Sequence, residues 1–307
     1  MATCPRSAIR EQNMTWYAFY GALEQGFVYG LLVLGVYLTF RVLDFPDLTV
    51  DGSLPLGAAV SSVAITAGIN PYLSLLMAMG AGFLAGMVTG ILNTKFKILH
   101  LLASILTMIA LYSINIRIMG KPNLTLLGTD TVLDSVSNLG LPPHMSAPLL
   151  FACFCAVAVV ALVWFLHTEL GLTLLATGDN AQMITAQGVN THTVIIFGVG
   201  LSNALAALSG ALVAQNQGAA DVNMGVGTIV AGLASVIVGE TLFGCRSVAR
   251  AMIAAILGSV AYRLAIALAL GLKLGSFSFT PSDLNLITAI LVIAALVSPQ
   301  LKSRFRK

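Results

Sequence analysis

Long apolar runs alternate with short polar breaks along the whole chain, and the length of the runs sets the first expectation. Nine can be marked, at about 16–40, 54–69, 71–92, 98–118, 146–167, 193–214, 225–239, 251–272 and 284–298. Several approach or exceed the roughly 20 residues that cross a bilayer as a helix. The pattern therefore predicts an all-α, polytopic transmembrane bundle. The first run opens on the aromatic cluster "WYAFY", as an interfacial belt does. Pro71, directly after Asn70, is placed to open the third run, since proline suits the first helical turn. Residues 119–145, with prolines, glycines and acids, read mostly as a loop.

Two runs are shorter and begin after polar breaks. "LTVDGSLPLGAAVSSVAI" and "VNMGVGTIVAGLASVIVG" each follow a long helix and a polar stretch with an acid and glycine. This predicts an internal repeat with broken or re-entrant helices, an arrangement in which transport proteins set binding groups where helices break. Asp51 and Gly52 in the first break, and Asn216, Gln217, Gly218, Asp221 and Asn223 in the second, are the candidates for the pathway or its gate, with Glu240 at the end of the second short run. Facing hydrocarbon, an acid costs roughly 2.5–3.5 kcal/mol, so Asp51 and Asp221 belong in a wet cavity or at a surface.

Basic residues orient the chain. The terminal "LKSRFRK" reads as a cytoplasmic tail, and Lys95, Lys97, Arg246 and Arg250 agree with it if 168–192 is also cytoplasmic and 119–145 external. Nine crossings then put the amino end outside, against Arg6 and Arg10. A re-entrant segment, with the run after "LTVDG" as the suspect, or a hidden span would remove the conflict. The organisation expected is a tail at 1–15, one membrane domain at 16–299 and a basic cytoplasmic tail at 300–307.

Composition narrows the class without changing it. The chain is 58% hydrophobic and only 9% charged, against about 25% charged in soluble domains. A net charge of +3 gives no case for nucleic acid. The four cysteines are scattered, and the four histidines, at 100, 144, 167 and 192, are isolated, so no metal site is expected. Glu24, Glu240 and Arg263 are the main ionisable residues within runs. An ion-coupled secondary transporter is the alternative they leave open, because intramembrane charges are functional suspects.

One break differs in kind. "LLATGDNAQMITAQGVN" is a short polar helix between two spans, with Gly178-Asp179-Asn180 suited to cap its start and Gly188-Val189-Asn190 to stop it. Together with the following "THTVIIFGVGLSNALAALSGALVAQ", it resembles the central region of bacterial ABC-importer permeases of the ribose and branched-chain amino acid type. Gly178, Asn180, Ala181, Gly188, Val189 and Asn190 match that family's linker in order, and the likeness extends over about 20–300. "FPDLTVDGS" resembles more narrowly a branch linked to tryptophan or tyrosine uptake.

The resemblance implies an importer permease in the bacterial inner membrane, fed by an extracytoplasmic solute-binding protein. Cytoplasmic ABC ATPase subunits, carrying ATP and magnesium, would dock on the coupling linker at about 168–192, and a second copy of the chain would complete the pathway. The implied docking residues are Gly178, Asp179, Asn180, Ala181, Gln182, Gly188, Val189 and Asn190. Asp179 and Gln182 depart from the charge patterns of better-known relatives, so individual ATPase contacts do not carry over. No G-x-x-x-x-G-K-[ST] phosphate loop occurs, so this chain is expected to be neither an ATPase nor another enzyme and to hold no cofactor. The branch implies a small amino-acid-like or aromatic solute.

Overall fold

A computed structural model describes residues 6–137, 143–244 and 247–271, with short pieces at 273–274, 277–278 and 293. The run expected at 284–298, residues 1–5 of the tail expected at 1–15 and the tail at 300–307 lie outside the described residues, apart from the single position 293, and residues 6–15 belong to the first helix rather than to a tail. Ten α-helices follow one another among the described residues: α1 Arg6–Tyr37, α2 Val50–Thr66, α3 Pro71–Thr94, α4 His100–Met119, α5 Val132–Ser137, α6 Pro143–Leu166, α7 Glu169–Ala186, α8 Thr191–Gln217, α9 Thr228–Phe243 and α10 Val248–Gly271. Seven helical stretches are long and apolar enough to cross a membrane, and α2 is a shorter apolar helix.

The break before α3 is made as the sequence predicts. Pro71 starts α3, and the Asn70 side chain accepts a hydrogen bond from the Tyr72 amide at 2.9 Å. The region 119–145 holds more than a loop. Strand β1, Asn123–Thr125, pairs antiparallel with β2, Ala219–Asp221, and α5 follows it. Three-residue strands carry no hydrophobic alternation, so the sequence gives no sign of them.

The centre of the bundle is α8. Its apolar window is 78% buried, whereas that of α4 is 28% buried and faces outward. Small residues explain why α8 can be crowded from several sides. Ser209 and Ser202 of α8 donate to the Val28 and Gly35 carbonyls of α1 at 2.8 and 2.7 Å, an antiparallel register. α3 lays Gly82, Gly86 and Gly90 against Asn203, Val199 and Ile196, also antiparallel. α2 runs parallel to α8, with Ser53 on Asn203 at 2.7 Å and Ser61 on Gln215 at 3.0 Å. Close backbone approach through small residues and interhelical hydrogen bonds is how helices associate where lipid removes the hydrophobic drive.

These registers fix depth. Asn203 is halfway along α8, so α2 begins near mid-depth and ends at the face that carries β1 and β2. Residues 43–49, non-helical, bring the chain to that start from the opposite face, where α7 lies. The suspected segment is therefore not re-entrant: inlet and half-helix complete a crossing. α1, antiparallel to α8, starts on the face that carries β1 and β2, despite Arg6 and Arg10.

An inverted repeat is legible in the packing. α1, the inlet 43–49 and α2 correspond to α8, the inlet 218–227 and α9, with the direction reversed. α10 sits on α1 through Gly26 against Val260 and Gly30 against Ile256, as α3 sits on α8. Each long helix is followed by a half-helix that starts inside the bundle.

Candidate functional site

The two inlets meet. The carboxylate of Asp51, in the first turn of α2, accepts hydrogen bonds from the amides of Gly227 (3.1 Å) and Ile229 (2.8 Å) and the Thr228 hydroxyl (2.9 Å). These are the free donors at the start of α9, whose own cap position, Gly227, has no side chain to offer. An acid from one half-helix thus caps the other, with its charge at the positive end of the α9 dipole. Gly225 lies so close to the Asp51 carbonyl that a Cβ there would collide with it. Pro55 donates no amide hydrogen, which leaves that carbonyl without its helical partner.

Below this junction is a buried polar cluster that the sequence did not single out. Asp47 is fully buried; its Oδ1 accepts from the Thr49 amide at 2.9 Å and its Oδ2 from Asn203 Nδ2 at 2.7 Å. Asn203 also donates to the Val199 carbonyl at 2.9 Å and accepts from Ser53. Thr49 bonds Thr89 of α3 at 2.8 Å. A buried acid is tolerated only with such pairing. The signal was available in "FPDLTVDG", where Asp47 and Asp51 stand four residues apart in a break between helices.

The other pathway candidates divide. Gly218 ends α8 at φ +69°, and Asp221 accepts from the Asn223 amide at 2.6 Å at the edge of the β1–β2 pair, with Asn123 3.5 Å away. Asn216 donates to Glu24, and Gln217 is exposed. These residues lie above the junction, around the inlet 218–227 on the face that carries β1 and β2. Glu240 is not with them. It lies at the far end of α9, where it bonds Arg41 at 3.0 Å. Arg263, the third ionisable residue within a span, stacks over the Tyr29 ring at 4.0 Å.

On the opposite face, α7 breaks at Asn180, whose φ of −154° leaves the helix. Its side chain caps the second piece by accepting from the Met183 amide at 3.0 Å. Asp179 through Met183 are exposed, while Ile184 is buried and anchors the piece. Gly188, at φ +88°, closes it with Gly188 N to Thr185 O at 3.0 Å and Val189 N to Ile184 O at 3.3 Å, a Schellman end. Asn190 caps α8 through the His192 amide at 3.2 Å. Gly178 has a packing role not foreseen: a Cβ there would strike the Val42 carbonyl, in the π-helical turn Leu38–Val42 that ends α1. Among the described residues no group of three or more acidic, histidine or cysteine side chains is placed to hold a metal.

Half-helices starting at mid-depth, in an inverted repeat spanning the bundle, define a membrane protein with a solute pathway. The chain belongs to the family described as "branched-chain amino acid transport system / permease component", whose model matches residues 19–297. It is 42% identical over 285 residues, 93% of this chain and 92% of the relative, to the tyrosine transport system permease protein of Clostridioides difficile (strain R20291). It is 28% identical to the galactofuranose transporter permease protein YtfT of Escherichia coli (strain K12), over 59% of this chain and 51% of that one. The solved complex PsaBC from Streptococcus pneumoniae with Fab has the same fold at TM-score 0.51, with 17% identity over 91% of this chain and 90% of that chain. The protein is accordingly an ABC-importer permease subunit, multi-pass in the inner membrane, and not the ATPase.

Proposed function

We propose that this permease passes a small amino-acid-like or aromatic solute delivered by an extracytoplasmic binding protein, and that cytoplasmic ATPase subunits, holding ATP and magnesium, drive it through α7. The tyrosine-transport relative, 42% identical over nearly the full length, supports the solute class. Two copies of the chain enclose the pathway, because each supplies one α7 and a machine with two ATPases needs two docking sites.

The observation that carries the reading is the seating of α7. Its exposed, amide-rich piece at 179–183 offers hydrogen-bonding groups outward, while Gly178 rests on the Val42 carbonyl. From Val42 the inlet 43–49 leads to Asp51. A displacement of α7 then reaches the α2–α9 junction through rigid backbone contact rather than through flexible side chains. The Asp51 cap is the gate element: breaking it frees the start of α9.

Gly188→Val tests the coupling. Valine at φ +88° costs roughly 1–2 kcal/mol in backbone strain, and it misplaces the end of the docking piece. The variant is expected to insert and assemble normally while ATP hydrolysis loses its stimulation by solute-loaded binding protein. Stimulation equal to wild type would remove α7 as the coupling element.

A further inference from the structure

A cavity of about 370 Å³ opens beside the junction, walled by the start of α2, the outer face of α4 and the inlet to α9. That volume is at the lower end of the roughly 300–1,000 Å³ of small-molecule sites. Its wall includes Asp51, Met108, Tyr112, Ser113, Asn115 and Val226, and among the described residues it presents no lysine, arginine or histidine. Asn115 is fully buried, and its amide is oriented by Nδ2 donating to the Gly52 carbonyl at 3.3 Å. Oδ1 is left as a buried acceptor with no hydrogen-bond partner. An unsatisfied acceptor of this kind is rare enough in a folded interior to need a cause.

We propose that this cavity is a transit site for the solute, in which the Asp51 carboxylate receives an ammonium group, the Asn115 side chain, sealed behind the wall, turns its unpaired Oδ1 to the same group on binding, and Tyr112 and Met108 flank an apolar or aromatic body. The inference rests on the solute class proposed above. The described residues of the wall carry acceptors and negative charge and no cation, so a carboxylate on the same solute finds no partner among them and points to the mouth. A ring between a tyrosine and a methionine gains aromatic and sulfur–aromatic contact. An ammonium at Asp51 also competes with the α9 amides for the same oxygens, which ties occupancy of the site to release of the cap.

The test uses the full chain in nanodiscs, with Cys4, Cys153, Cys155 and Cys245 replaced by serine and a reporter introduced as Ser113→Cys, an exposed position on the cavity wall. The rate of maleimide labelling is measured with tyrosine, with tyramine (the amine alone) and with 3-(4-hydroxyphenyl)propionate (the carboxylate alone). Tyrosine and tyramine are expected to slow labelling at least fivefold and the propionate less than twofold. Adding Asn115→Leu should abolish the protection. No protection by either amine, or equal protection by all three, overturns the proposal, and the reporter variant alone decides it if Asn115→Leu fails to assemble. Uptake of labelled tyrosine by the wild-type complex is read separately. Uptake without protection overturns the site and leaves the transport reading standing; protection without uptake supports the site and overturns tyrosine as the cargo.

Discussion

Gly57 sits where α2 crosses α8, and replacing it with alanine measures how far the bundle depends on backbone contact. A Cβ at this position would lie 2.6 Å from the Ala207 Cα and closer still to the Ala207 carbonyl. Carbon atoms rest about 3.5–4.0 Å apart, so the two helices must separate by about 1 Å or bend. Overpacking of this kind costs about 1–3 kcal/mol, offset by the roughly 0.5–1 kcal/mol that alanine gains over glycine within a helix. The net is a loss of about 1–2 kcal/mol. Gly80, in α3, has nothing within 4 Å of its would-be Cβ, so Gly80→Ala keeps only the gain. Thermal unfolding of the purified chain in detergent, followed by fluorescence-detected size exclusion, compares the two. At about 2–4 °C per kcal/mol, Gly57→Ala should lower the midpoint by several degrees, and Gly80→Ala should hold or raise it. Equal shifts in the two variants would refute the claim that the α2–α8 contact is set by glycine.

Asp51→Ala removes the cap on α9 and orphans two amides, a loss of about 2 kcal/mol, which speeds hydrogen exchange at 227–231 by about thirtyfold with little change elsewhere in α9; uniform exchange would place the α9 start beyond the reach of Asp51. Asn203→Leu strips the buried Asp47 carboxyl of a donor and should cost about 3 kcal/mol. Adding Asp47→Leu then costs little more, and effects that add within about 0.5 kcal/mol would deny the pairing. The intact complex should contain two copies of this 32.0 kDa chain by native mass spectrometry, and one copy beside a different permease would contradict the proposed symmetry.

Most of the membrane architecture was legible because apolar run length is a strong signal. The observed helices overlap every run that falls within the described residues, and Pro71 and Asn70 mark a start as their chemistry requires. The short runs and the broken helices were recognised, but the depth of the breaks was not, because periodicity says nothing of depth: the pairing of Ser53 with Asn203 shows that α2 begins midway along α8. α2 also starts four residues earlier than its apolar run, since Asp51 and Ser53 find partners inside the bundle. The polar stop at 178–190 was readable through its glycines and amides. The role of Gly178 was not, for in sequence a packing glycine and a capping glycine look alike. Asp47 and Asn203 were missed for a related reason. A lone polar residue in an apolar or loop segment acquires meaning only from a partner more than a hundred positions away.

The most direct measurement is uptake of labelled tyrosine into proteoliposomes holding the complete complex, loaded inside with ATP and magnesium and supplied outside with the binding protein. The account predicts accumulation that requires ATP hydrolysis, persists when ion gradients are collapsed, and is lost in Gly188→Val while the complex remains assembled. Accumulation driven by an ion gradient without ATP, or unchanged in Gly188→Val, would contradict it.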